Sequence, residues 1–229
     1  MPAEIRTVLF DLDGTLADTA PDLAQALNTL LVEQGREPLP YAHIRNRVSH
    51  GATALIELGF PEVAGDGVAH LRQRLIDLYA ENRHLETRLF PGMEAVLGWL
   101  EKKGLSWGVV TNKPTALTEP LLHMLGLDGR AASVVCGDTL ENRKPHPDPL
   151  LLACNQAGSA AAECVYVGDA QRDVEAAHAA GMPALIALYG YISPDDDVES
   201  WRADSHINEP REIVDWLLSG TASLRKVEL

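Results

Sequence analysis

Apolar residues in this chain fall into two rhythms. Short runs of four to six residues, rich in β-branched and aromatic side chains, alternate with longer stretches in which apolar positions recur every three or four residues. The short runs at residues 5–10 (IRTVLF), 106–111 (SWGVVT), 133–136 (SVVC), 164–167 (CVYV) and 184–188 (ALIAL) predict buried strands. The stretches at 93–103, 116–125, 149–157 and 173–180 predict amphipathic helices. Gly104, Gly126, Gly158 and Gly181 stand just past them, where a left-handed helix end favours glycine. Strand and helix alternating at this spacing imply parallel crossovers, hence an α/β doubly wound, Rossmann-like parallel sheet with helices on both faces.

One segment breaks the alternation. From residue 19 to residue 89 only helical periodicity is found, as in Leu23, Ala26, Leu27, Leu30 and Leu31, and again in Val68, Leu71, Leu75 and Leu78. Pro21, Pro38, Pro40, Pro61 and Pro91 punctuate it. Helices inserted after the first strand of a parallel sheet predict a cap. The expected division is an α/β core of residues 1–18 and 90–229 with a helical cap domain at 19–89. Asp195, Asp196 and Asp197 read as a solvated polar loop, and residues 221–229 as a frayed tail.

Composition narrows the function. The 229 residues carry 33 acidic and 19 basic side chains, a formal charge of −14, with no run of lysine and arginine and only 5% aromatic residues. That field opposes nucleic acid and anionic membranes as partners, and so few aromatics offer no stacking platform for single strands. Cys136, Cys154 and Cys164 are widely spaced without a Cys-x-x-Cys pair and read as buried thiols in a reducing compartment. No apolar stretch reaches membrane-spanning length, and the first residues lack the features of a signal peptide. The expectation is a cytoplasmic protein, a monomer or a homodimer, working on a small molecule.

Candidate chemistry gathers at four predicted strand ends. Asp11 and Asp13, in DLDGTLADT, close the first strand in a turn whose Gly14 lets the backbone approach a ligand. Thr111 and Asn112 offer a hydroxyl and an amide at the end of a second. Lys144 lies in the proline-stiffened loop NRKPHPD, and Asp169 and Asp173 follow the strand at 164–167, four residues apart. Each has a plain structural reading, as turn former, helix cap or solvated charge. Jointly they describe an anion site ringed by carboxylates, which a divalent cation reconciles. Mg²⁺ suits such hard oxygen donors.

This order of motifs resembles the haloacid dehalogenase-like superfamily of phosphohydrolases over about residues 3–219. The resemblance implies that Asp11 is the nucleophile forming an aspartyl-phosphate and that Asp13 is the general acid and base. Thr111, Asn112 and Lys144 would bind the phosphoryl group. Asp11, the Asp13 carbonyl and Asp169 would hold Mg²⁺, supported by Asp173. Many members carry serine or threonine where this chain has Ala170, which puts a secondary hydrogen bond in question.

Within the superfamily, Asp13 argues against dehalogenation. The absence of lysine between Leu16 and Phe90 argues against a Schiff-base cap. The cap length and motif spacing resemble the phosphoglycolate phosphatases, and VSHGATAL and VGDAQRDVEAAHAAGM resemble the bacterial N-acetylmuramate 6-phosphate phosphatases. Both implied substrates carry a carboxylate beside the phosphate. Arg45, Arg47 and His50, around the loop at 48–52, are the expected cap contacts to it. A sugar-phosphate mutase of the β-phosphoglucomutase type stays open as an alternative. So, in another class, does a phosphoacceptor signalling or binding domain, though its acceptor aspartate would come from a later strand.

Overall fold

The computed structural model describes residues 4–81 and 86–225, with side chains described to residue 219. Its main sheet has six parallel strands in the order β5-β4-β1-β6-β7-β8. These are β1 (Thr7–Phe10), β4 (Ser106–Val110), β5 (Ser133–Val135), β6 (Cys164–Gly168), β7 (Ala184–Ala187) and β8 (Ser205–Ile207). The central pairings set Thr7 beside Ser106 on one side and beside Cys164 on the other. The strand ends carrying Asp11, Thr111 and Asp169 consequently lie side by side.

Strand side chains alternate between two faces. Val8, Phe10, Val109, Val165 and Val167 face a core completed by α5 (Met93–Lys102), α6 (Thr115–Met124) and α9 (Arg211–Arg225). Leu9, Val110, Tyr166 and Ile186 face a second core under α7 (Asp148–Gln156) and α8 (Gln171–Ala180). With both faces buried, the strands read as near-continuous apolar runs. The four helix-ending glycines all adopt positive φ, between 69° and 79°. All three cysteines are free and buried.

Four further helices follow the first strand: α1 (Ala20–Glu33), α2 (Tyr41–Arg45), α3 (Gly51–Gly59) and α4 (Asp66–Glu81). Leu27, Leu30, Ile44, Leu55, Ile56 and Leu75 make their shared interior. Thr19 makes no side-chain cap for α1. The Tyr191 hydroxyl instead accepts the Thr19 and Ala20 N–H groups at 2.7 and 2.9 Å and donates to Asp18 at 2.8 Å.

The structure corrects three sequence expectations. The segment 19–89 is not free of strand: β3 (Arg88–Leu89) pairs antiparallel with β2 (Ala17–Asp18), where the helical segment leaves and rejoins the sheet. Two residues are too few for any periodicity to register. Strand β8 also escaped, because Ser-His-Ile has no apolar run. The predicted tail is helical as far as Arg225, and residues 226–229 lie outside the described chain. Asp195 and Asp197 are exposed in a loop as expected, whereas Asp196 is partly covered and accepts the Ser193 N–H at 2.7 Å.

Candidate active site

Buried charge concentrates at the strand ends. Asp11, Lys144, Asp169 and Asp173 are each 3% exposed or less. Ionised side chains at that depth persist only when paired or bound to a cation. Lys144 is the hub. Its Nζ lies 2.9 Å from Asp11 Oδ1 and 2.8 Å from Asp173 Oδ1, and also meets the Val110 carbonyl at 2.9 Å and the Tyr166 hydroxyl at 2.7 Å. Asn112 fixes the loop that delivers it. The Asn112 Nδ2 donates to the Lys144 carbonyl at 2.9 Å, and Lys144 N–H donates to Asn112 Oδ1 at 3.1 Å. The Asn112 carboxamide is thereby committed to positioning Lys144. The sequence reading did not include this positioning task, and Asn112 also lines the cavity described below.

The three carboxylates Asp11, Asp169 and Asp173 each offer an oxygen, all within 4.8 Å of one another. Asp173 has two tasks: one oxygen accepts the Ala170 N–H at 3.0 Å at the start of α8 while the other meets Lys144. Burial raises its pKa, with Asp11 adding and Lys144 and Arg172 opposing. Asp169 Oδ2 accepts the Ser49 hydroxyl at 2.6 Å and the Tyr191 N–H at 2.9 Å, but Oδ1 is buried with no partner. Burial, then the charges of Asp11 and Asp173, push the Asp169 pKa up to about 7 against those two bonds. An orphaned carboxylate oxygen among three clustered acids is the donor set a hard divalent cation requires, so these residues fit Mg²⁺. Gly14 permits the approach: φ is +82°, and a Cβ there would overlap the Asp169 carboxylate and come within 2.8 Å of the Tyr191 ring.

Asp13 lies apart from this cluster. Its Oδ1 accepts the Thr19 hydroxyl and pairs with Lys113 Nζ at 2.9 Å. Lys113 also donates to the Tyr79 hydroxyl at 3.1 Å. Burial alone would lower the Lys113 pKa, but Asp13 and the Tyr79 hydroxyl hold it above the usual lysine value. Thr111 is buried, and its Oγ1 accepts the Lys113 N–H at 3.2 Å.

Above these groups is a cavity of about 290 Å³, walled by the strand ends on one side and by α3, α4 and the loop at 48–52 on the other. Asp11, Asp13, Thr111 and Asn112 line it, and His50 lines its far wall. Arg45 does not. Its guanidinium donates to the Gly190 carbonyl at 2.9 Å and the Tyr189 carbonyl at 3.1 Å, with the Tyr191 ring 5.0 Å away. Arg47 is exposed and lines no part of the cavity. In this arrangement Arg45, at the end of α2, turns to the core loop and Arg47 to solvent, so neither of these two expected cap residues lines the cavity. Sequence reasoning passed over Ser49, Arg72, Lys113, Arg143 and Arg172. Four of these lie within or beside the quoted motifs, whereas Arg72 sits mid-helix with no local signal.

A parallel sheet with four strand ends converging on this acid and lysine cluster defines a haloacid dehalogenase-like hydrolase. The chain belongs to that family, whose model matches residues 8–187. A phosphoglycolate phosphatase of Xanthomonas campestris is 44% identical over 208 residues, covering 91% of this chain and 94% of the relative. An N-acetylmuramic acid 6-phosphate phosphatase of Pseudomonas aeruginosa is 39% identical over 214 residues, covering 93% and 95%. Among solved structures, a predicted phosphoglycolate phosphatase from Haemophilus somnus superposes with a TM-score of 0.82 at 28% identity, over 93% of this chain and 98% of that one. The expectation of a phosphatase of this family is borne out. No described helix is long and apolar enough to cross a membrane.

Proposed function

We propose that the chain is a cytoplasmic Mg²⁺-dependent phosphomonoesterase that passes through an aspartyl-phosphate on Asp11. Its substrate would be a small phosphate ester bearing a carboxylate, of the kind named for its relatives: N-acetylmuramic acid 6-phosphate or phosphoglycolate. The observation that carries the reading is the charge arrangement under the cavity, where one buried lysine serves two buried acids and Asp169 Oδ1 is left without a partner.

Asp11 supplies the attacking oxygen. Leu12 N–H and Lys144 both hold Oδ1, at 2.8 and 2.9 Å, so the carboxylate is oriented and Oδ2 remains to attack phosphorus. The new bond joins Asp11 Oδ2 to phosphorus while the bond to the ester oxygen breaks, and Asp13 gives that oxygen its proton. Both donors on Asp13 converge on Oδ1, which leaves Oδ2 as the atom that exchanges the proton. In the second half Asp13 takes the proton back from water, whose oxygen attacks phosphorus and releases phosphate from Asp11. Lys144 and the Thr111 hydroxyl would offset charge on the phosphoryl oxygens. Bound Mg²⁺, held by Asp11, the Asp13 carbonyl and Asp169 with Asp173 in support, would neutralise the same charge.

Residues 19–89 would act as a cap that moves on the β2–β3 ribbon. In the present arrangement Ser49 binds Asp169, Arg45 binds the 189–190 carbonyls and Tyr79 binds Lys113, three ties that draw the cap onto the core. Such closure excludes water from the reacting groups. The test is phosphate release from both carboxylated substrates with Mg²⁺ and with EDTA, on wild type and Asp11→Asn. Metal-dependent release that vanishes in the variant is expected. Release that survives EDTA or the Asp11 substitution would overturn the reading.

A further inference from the structure

The cavity floor accounts for one end of a substrate and leaves the other end unread. Three arginines line the cavity: Arg72, Arg143 and Arg172. Arg172 lies 4.0 Å from Asp11 Oδ2 and so stands at the phosphoryl end. Arg143 is exposed in the loop that delivers Lys144, also on the core side. Arg72 is the one carried by the helical segment. It is partly buried on α4, and its guanidinium makes no hydrogen bond or ion pair with any described residue. Its neighbours on that segment are engaged, Arg36 with Glu62 and Arg74 with Glu33 and Glu81.

Position along α4 gives Arg72 a meaning. Arg72, Leu75, Ile76 and Tyr79 are spaced as one helix face, and all four line the cavity. Tyr79 marks the chemical end, because its hydroxyl bonds the same Lys113 that pairs with Asp13. Seven residues of helical rise place Arg72 about 10 Å farther along the axis. Between them Leu75 and Ile76 present an apolar wall. A guanidinium without a partner, on a cavity wall of a −14 protein, is a ready fork for a carboxylate.

We infer that Arg72 reads the substrate's second anionic group, a carboxylate held about a sugar ring's width beyond the phosphoryl group. The inference rests on the phosphatase reading above and selects between its two substrates. In phosphoglycolate the carboxylate and the phosphate sit on the same carbon, too close together to reach from the floor to Arg72. In N-acetylmuramic acid 6-phosphate the lactyl carboxylate lies across the ring from the phosphate, and the ring's C–H faces suit the Leu75 and Ile76 wall. The substrate class is then a carboxylate-substituted hexose phosphate.

The experiment compares kcat/KM for N-acetylmuramic acid 6-phosphate with that for N-acetylglucosamine 6-phosphate, the same sugar phosphate without the lactyl acid. Phosphoglycolate serves as the short acid. Wild type should prefer the lactyl sugar over both. Arg72→Ala should shrink its preference over the neutral sugar about ten- to a hundredfold, the scale of one charge-assisted contact. Arg72→Lys should restore only part of it, since a point charge does not replace a bidentate fork. Equal losses on both sugars, or a wild type that does not discriminate between them, would overturn the inference while leaving the phosphatase reading standing. A wild type that hydrolyses neither sugar, nor phosphoglycolate, nor p-nitrophenyl phosphate would remove that reading as well.

Discussion

Replacing Lys144 with methionine removes the ammonium while keeping an unbranched apolar stem, and it tests how far this site depends on one charge. The lysine side chain has no solvent exposure, and its Nζ is the counter-charge to both Asp11 and Asp173. Deleting one partner of a buried ion pair costs about 3–5 kcal/mol, because the remaining charge is left uncompensated. For a chain of this size each kcal/mol moves the melting temperature by about 2–4 °C, so Lys144→Met should melt about 6–20 °C below wild type without metal. Saturating Mg²⁺ should recover part of the loss, since the cation would neutralise the same carboxylates. Turnover should not recover with it. One preorganised electrostatic contact is worth about a hundred- to a thousandfold in kcat. The assays are calorimetry with and without Mg²⁺ and phosphate release at saturating substrate. A variant that melts with wild type and turns over at a similar rate would refute the electrostatic account of the cluster.

Other substitutions separate the remaining groups. Asp11→Asn should fold and bind substrate yet form no acyl phosphate, checked by mass spectrometry of rapidly quenched enzyme. Asp169→Ala should raise the Mg²⁺ concentration needed for half-maximal activity steeply, and an unchanged metal requirement would exclude it as a ligand. In metal-free protein Asp169 keeps its proton up to about pH 7 when folded but loses it near 4 when unfolded. The folded state therefore binds more protons across that window, and melting temperature should fall as pH rises from about 4 to 7, a slope that Mg²⁺ flattens. Gly14→Ala should cost about 1–2 kcal/mol for its left-handed backbone, plus about 1–3 kcal/mol for the overlap with Asp169, measurable by urea denaturation. Arg45→Ala should lower kcat/KM by the same factor on every substrate, because Arg45 ties the helical segment to residues 189–190 and does not line the cavity. A loss confined to carboxylated substrates would return Arg45 to the substrate.

Much of this protein was legible along the chain. Strands buried on both faces of a sheet are mostly apolar, so β1, β4 and β6 appear as near-continuous runs. Functional groups of such a sheet gather where those runs end, which is why Asp11, Thr111, Lys144, Asp169 and Asp173 could be picked out as candidates, their roles coming from the family resemblance. Contacts between segments distant in sequence leave no such trace. Nothing near Asn112 announces that its amide will clamp the backbone of Lys144, 32 residues away. Arg45 and Arg47 stood beside the right loop and still missed the cavity, because the turn of a short helix decides where a side chain points. Arg72 has the opposite history: an ordinary arginine in an amphipathic helix, it reaches the cavity only because α4 packs with that face toward the strand ends. Periodicity records which face of an element is buried, and only the packing of whole elements decides which residues on the boundary of that face meet a ligand.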